Sequence, residues 1–330
     1  YRPVGVSDES HLPVLLKETI DAVTTRAPYW EEASDAGLYV DATFGRGGHT
    51  RALLARLGPD DRLLAIDRDP EAVLAGERLM AEDPRLTVRR ARFSELARVL
   101  VEQGASRVRA VIMDLGVSSP QLDDPDRGFS FRASGPIDMR MDPDAGESAG
   151  DWLNRAEEKE IARVIRTYGE ERFANRIAAA IVRARPLEDT RSLADVIRAA
   201  IPARRGARGV KKSDDATRSF QAIRMHVNEE LEEIEAGLKA AFEVLEPGGR
   251  LAVISFHSLE DRAVKRSFRD LASGPKLPKG LPVRASEVEP EGRLIGGPVR
   301  AGAREIEANP RSRSATLRVL ERRSAQGARP

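Results

Sequence analysis

Three glycines stand within four residues, at positions 45, 47 and 48, directly after an apolar stretch covering residues 38–42. Residues 51–57 then read as a helix with Leu53, Leu54 and Leu57 on one side. Strand, glycine turn and helix are the parts from which a doubly wound α/β sheet makes a nucleotide site. Without a Cβ, backbone N–H groups and a helix N-terminus can approach a ligand closely. A second apolar stretch, residues 62–67, ends on Asp67, about 20 residues past Gly47, the spacing of an acid that binds a ribose diol. That acid suits NAD and S-adenosylmethionine equally, since both carry a free adenosine ribose. Two residues lean toward the second. Thr50 stands where the dinucleotide pattern wants a third small residue for helix–strand packing. Asp41, inside the first strand, has no use beside a pyrophosphate but favours a cationic, methionine-type ligand. A P-loop is excluded, because no Lys-Ser/Thr pair follows the glycines. An α/β turn with no ligand is the plain structural alternative.

The elements that must position these residues follow in order. Asp69 with Pro70 behind it is a strong helix start. Residues 86–88 form a short third strand leading to Phe93, which could cover an adenine ring; from the residues alone, ordinary core is the favoured reading. A fourth strand, residues 108–114, ends in Asp114. Four strands alternating with helices imply a mostly parallel sheet with ligands at the carboxyl ends, where residues 45–49, Asp67, Phe93 and Asp114 would converge. The rhythm breaks at residues 124–149, an irregular stretch long enough to suggest function. Helices without strands come next. Ile161, Val164, Ile165 and Tyr168 share a face, as do Ile177, Ile181 and Ala184, and Leu193, Val196, Ile197 and Ile201. Residues 125–225 are therefore expected to be an inserted loop and all-helical substrate-recognition domain, with residues 1–124 and 226–330 forming the cofactor-binding sheet. Asn228 is expected to cap a helix carrying Leu231, Ile234, Leu238, Phe242 and Leu245. That helix stops at residues 247–249, and residues 250–256 make the fifth core strand. A Pro/Gly-rich stretch runs to about residue 312, and residues 314–320 are the candidate closing strand.

Composition bounds the partners. Fifty-four basic against fifty-three acidic residues leave a net charge of +1, so any nucleic-acid surface must be local. Residues 204–212 carry five cations, which either grip phosphates or are simply solvated. Cysteine is absent, which removes disulfides, thiolate zinc sites and cysteine nucleophiles together and suits a reducing cytoplasm. With four histidines and no close paired-ligand spacing, no metal site is expected. No apolar run reaches the ~18 to 20 residues of a membrane span, and the polar first ten residues lack a signal-peptide core. The expected location is cytoplasmic. Tyr1 in place of an initiator methionine suggests a trimmed or incomplete start.

Methyl transfer from a sulfonium asks a protein to align donor and acceptor and to exclude water. A nucleobase amino nitrogen is a poor nucleophile, and a polar acceptor at the end of the fourth strand can orient it and stabilise the developing positive charge. Asp114, or the segment at residues 119–122, stands in that place. Phe129 and Phe131 either stack on an extruded base or anchor the loop, with neither account favoured. His257, just past the fifth strand, either faces the substrate or makes a structural hydrogen bond. Without a cysteine, carbon-5 methylation of cytosine is excluded, so a cytosine would be methylated on its exocyclic nitrogen.

Four motifs carry a resemblance: DATFGRGGHT at residues 41–50, DLGVSSPQLD at 114–123, RGFSF at 127–131 with DMRM at 138–141, and SFHSLEDR at 255–262. Taken in order, over about residues 11–323, the chain resembles the RsmH (MraW) family of S-adenosylmethionine-dependent methyltransferases acting on N4 of a cytidine in 16S rRNA. The resemblance implies a class I, Rossmann-like methyltransferase sheet with an inserted all-helical domain. It implies a substrate in the small ribosomal subunit, at position 1402 of the decoding centre beside the P-site. It assigns cofactor contacts to Gly47, Gly48, His49, Asp67, Phe93, Asp114 and Gln121, overturning the core reading of Phe93. Neither it nor the residues fix a catalytic group or choose between monomer and homodimer. Two rivals remain: an NAD-dependent oxidoreductase, and a non-enzymatic ribosome-assembly factor with a vestigial pocket.

Overall fold

The computed structural model describes residues 13–25, 36–202, 214–274 and 290–324. The chain divides into two compact units, one made of Tyr1–Gly116 and Glu233–Pro330, the other of Val117–Glu232.

In chain order the first unit begins with α1 (Leu16–Thr24), β1 (Leu38–Asp41), α2 (Gly48–Leu54), β2 (Arg62–Asp67), α3 (Pro70–Glu82), β3 (Leu86–Arg90), α4 (Leu96–Glu102) and β4 (Val108–Asp114). The helical stretch follows with α5 (Ser119–Asp123), α6 (Ala149–Arg155), α7 (Glu158–Gly169), α8 (Ala174–Arg183), α9 (Thr190–Ala200) and α10 (Thr217–Val227). The chain then adds α11 (Glu230–Val244), β5 (Leu245–Ser255), α12 (Ser258–Ser273), β6 (Gly292–Leu294), β7 (Val299–Arg300), α13 (Ala303–Ala308) and β8 (Thr316–Arg322).

The sheet runs β3-β2-β1-β4-β5-β8-β6, with β7 also on β8. The first five strands are parallel, and β8 is antiparallel to both neighbours. A parallel strand covered on both faces has no reason to alternate, and β4 is buried from Val108 through Met113. Asp114, the residue after that run, stands at the carboxyl edge. The Asp69 expectation holds: its Oδ1 accepts the Glu71 N–H at 3.0 Å, with Pro70 opening α3. Helix α2, by contrast, starts at Gly48 rather than residue 51, because Gly47 at φ +77° supplies the left-handed turn into it. Strand β5 starts at Leu245, before the Pro–Gly pair expected to precede it, and its pairing with β4 shifts register between Val108 and Ala110. The stretch read as Pro/Gly-rich holds two short strands and α13; residues 275–289 of it lie outside the described residues.

The second unit has only helices and irregular segments among its described residues. The expected faces are inward: Ile161, Val164, Ile165, Ile177, Ile181, Leu193 and Ile197 are all buried in one core. The boundaries expected at residues 125 and 225 fall inside this unit. Its long irregular loop is part of that core. Met139 is fully buried at φ +61°. Asn228, expected to cap α11, instead follows α10 and bridges the loop: its amide donates to the Met139 carbonyl at 2.7 Å, and its Oδ1 accepts the Met141 N–H at 2.7 Å. Arg127 donates to the carbonyls of Arg140 and Met141. Backbone polar groups that no helix or strand satisfies are thus met by two buried side chains. Phe129 lies in the same core, and Phe131 packs edge-on against Phe220 with ring centres 4.7 Å apart and the Arg198 guanidinium 5.2 Å from its own. Of the two roles open to these rings, the packing is that of loop anchors. The cation-rich residues 204–212 lie outside the described residues.

Candidate active site

The ends of β1, β2 and β4 are stitched together by side chains. Thr43 Oγ1 accepts the Asp114 N–H at 2.6 Å, joining the turn two residues past β1 to the tip of β4. Asp41, 1% exposed, accepts from Thr50 Oγ1 at 2.6 Å and from the Thr43 N–H at 3.2 Å. Asp41 was expected to serve a cationic ligand, and Thr50 looked like a misfit for dinucleotide packing. They are one feature: an acid and a hydroxyl that hold the turn to its strand.

The glycine turn is shaped by packing. A Cβ on Gly47 would lie 2.7 Å from the Phe44 ring, and one on Gly48 would lie 2.2 Å from Pro13 Cγ. Both glycines therefore admit side chains of their own unit on the Cβ side, in addition to the left-handed backbone at Gly47. Sequence reasoning missed Phe44 and Pro13, since neither carries a polar signal.

Asp67 closes β2. Its Oδ2 accepts the Gly45 N–H at 2.8 Å and its Oδ1 the Asp69 N–H at 2.9 Å. Two backbone donors fix the carboxylate while each oxygen keeps a second lone pair, which a vicinal diol can use. Phe93 opens a 3-10 turn, Phe93–Glu95, just past β3. Its half-buried ring lies where a Cβ on Gly237 of α11 would be, 2.2 Å from Phe93 Cδ2. Ser94 is gripped by Glu233, which accepts both its N–H and its hydroxyl at 2.9 Å.

Asp114 and His49 form the other end of this sheet edge. His49 is buried, with Nδ1 3.7 Å from Asp114 Oδ2 and Nε2 3.3 Å from the Val14 carbonyl. Asp114 Oδ1 is buried and has no hydrogen-bond partner among the described residues. A buried acceptor left unmet is costly, so this edge suits a ligand that brings a donor or a positive charge. S-adenosylmethionine brings both, with its ammonium, its sulfonium and its ribose hydroxyls. His257 lies at the N-terminus of α12, where its Nδ1 accepts the Glu260 N–H at 3.4 Å and its Nε2 is 3.0 Å from Glu260 Oε1. These are the structural contacts weighed against a substrate role. Gln121 belongs to the helical unit, where its Oε1 accepts the Ser118 N–H at 2.9 Å in a capping box.

Burial pushes Asp67 up to about 6, against the pull of the Asp69 and Gly45 N–H groups. Burial likewise pushes Asp114 up to about 6; His49 opposes this, while Asp41 and Glu260 add to it. The folded protein thus holds these protons more tightly than the unfolded chain, so their contribution to stability is fullest below about pH 4 and is lost as pH rises through about 6. A ligand that needs ionised carboxylates shows the opposite trend. Affinity for S-adenosylmethionine is expected to be about tenfold weaker at pH 5 than at pH 7 for each carboxylate the ligand uses, and about 100-fold weaker if it uses both. Calorimetric titration across that range checks it; a flat profile would contradict the use of either carboxylate.

The NAD reading fails on topology. A dinucleotide sheet continues in parallel beyond the fifth strand, whereas here β8 lies antiparallel between β5 and β6. With Asp67 and the glycine turn on its carboxyl edge, this is the sheet of a class I, Rossmann-like, S-adenosylmethionine-dependent methyltransferase. The chain belongs to the MraW methylase family, whose model matches residues 8–323. It is 52% identical over 323 residues to the ribosomal RNA small subunit methyltransferase H of Thioalkalivibrio sulfidiphilus, covering 96% of this chain and 99% of that one. It is 51% identical to the protein of the same name from Stenotrophomonas maltophilia, covering 98% and 97%. A solved rRNA methylase from Streptococcus thermophilus is similar over 96% of this chain and 100% of its own, at 11% identity and a TM-score of 0.42. No described helix is long and apolar enough to cross a membrane.

Proposed function

We propose that the protein transfers a methyl group from S-adenosylmethionine to N4 of a cytidine in 16S rRNA, at position 1402 in the decoding centre of the small ribosomal subunit. The observation that carries the reading is the pairing, on one sheet edge, of the Asp67 carboxylate, fixed by the Gly45 N–H, with a buried, unmet acceptor at Asp114. The names of the half-identical relatives supply the substrate class. S-adenosylmethionine, when bound, supplies an electrophilic methyl group. Asp67 would accept from its ribose hydroxyls, Phe93 would border its adenine, and the turn at residues 45–49 with Asp114 would border its methionine end. The absence of cysteine directs a cytosine substrate to its exocyclic nitrogen. For that amine, the protein's task is alignment and the exclusion of water.

Small subunits lacking the modification, incubated with labelled methyl donor, test the assignment. The expected label maps to a single cytidine and is released as N4-methylcytidine. Label on another nucleotide would overturn the substrate. Subunit binding that is indifferent to cofactor, with no label, would favour a vestigial assembly factor.

A further inference from the structure

Residues 13–15, ahead of α1, are held at both ends. Pro13 packs on Gly48. Leu15, 1% exposed, has φ +51°, a left-handed backbone that a branched L-residue adopts only when its surroundings enforce it. What enforces it comes from 290 residues away: the Leu15 N–H donates to Glu305 Oε1 of α13 at 2.7 Å. Between these two anchors, the Val14 carbonyl meets His49 Nε2 at 3.3 Å.

A carbonyl only accepts, so Nε2 must carry the hydrogen. With Nε2 so held, Nδ1 lies 3.7 Å from Asp114 Oδ2, beside the unmet Oδ1 of the same carboxyl. A ring that lost the Val14 contact could turn within the site and change what Asp114 presents to a ligand.

We propose that Glu305 is a positioning residue for the cofactor site: by fixing the Leu15 backbone, it aims the Val14 carbonyl at His49 Nε2 and so sets how the imidazole is oriented beside Asp114. This rests on the reading that S-adenosylmethionine lies along this edge. A contact that only capped α1 would stabilise the fold and leave ligand affinity alone. One that acts through His49 changes affinity.

Calorimetry with S-adenosylhomocysteine separates the two. Glu305→Ala removes the acceptor and is expected to weaken binding about tenfold, whereas Glu305→Gln keeps an acceptor oxygen and should stay within about twofold of the parent. In a His49→Ala background, Glu305→Ala should cost no further affinity, because the residue through which it acts is gone. Nitrogen NMR of the unsubstituted protein provides a check that does not depend on any variant folding: His49 should carry a hydrogen on Nε2. An Nδ1–H tautomer overturns the proposal. So does a Glu305→Ala protein that melts earlier but binds normally, or one whose loss simply multiplies with that of His49→Ala. Failure of the unsubstituted protein to bind S-adenosylhomocysteine or S-adenosylmethionine would overturn the cofactor reading, and this inference with it.

Discussion

Asp67→Ala is expected to weaken S-adenosylmethionine binding by about 100-fold, the value of two hydrogen bonds to a charged group at ~1.5 kcal/mol each. The carboxylate is already held by the N–H groups of Gly45 and Asp69, so it is rigid before any ligand arrives, and little ordering cost offsets the two new bonds. The same substitution strips acceptors from those two N–H groups, which loosens the turn but also removes a carboxyl that burial disfavours as an anion. The melting temperature is therefore expected to move little while affinity collapses. Calorimetry on a variant shown by circular dichroism to be folded checks this. Undiminished affinity would remove Asp67 from the site.

The largest expected loss of stability lies on the other side of the sheet. Glu321 of β8 is 2% exposed and accepts from Arg250 Nε at 3.1 Å and from Arg293 Nη2 at 2.6 Å, directly across from both residues in the pairing with β5 and β6. The two cations differ in burial. The Arg250 side chain is 11% exposed and also donates to the Ala22 carbonyl, whereas that of Arg293 is 57% exposed. Removing the shared acid leaves the Arg250 charge buried beside an apolar strand, at a cost of about 3–5 kcal/mol. Glu321→Ala should thus lower the melting temperature by about 10 °C, whereas Arg293→Ala, at a solvated position, should cost no more than about 1 kcal/mol. Equal losses from the two substitutions would contradict the assignment.

What could be read in the chain beforehand was set by how local each signal is. The glycine turn, Asp67 and Asp114 are legible because strand, turn and acid follow one another, and a parallel sheet gathers its strand ends at one edge. Thr50 and Asp41 each looked anomalous alone, and only their 2.6 Å contact explains them together. Asn228 was misassigned for the same reason. An Asn two residues before a helix resembles a cap, yet its partners, Met139 and Met141, lie 89 and 87 residues away. The short β6 and β7 carry too few residues for any periodicity to show. Pro13 and Glu305 matter through long-range contacts that leave no mark on neighbouring residues, and Phe44 through a local packing contact with Gly47 that carries no polar signal.

The central claim concerns where one small molecule sits, and a crystal structure with S-adenosylhomocysteine tests it most directly. The ribose hydroxyls should lie within hydrogen-bonding distance of the Asp67 carboxylate, the adenine against Phe93, and the ligand's amino-acid end beside His49 and Asp114. A ligand found elsewhere, with the Asp67 carboxylate facing only Gly45 and Asp69, would contradict the account.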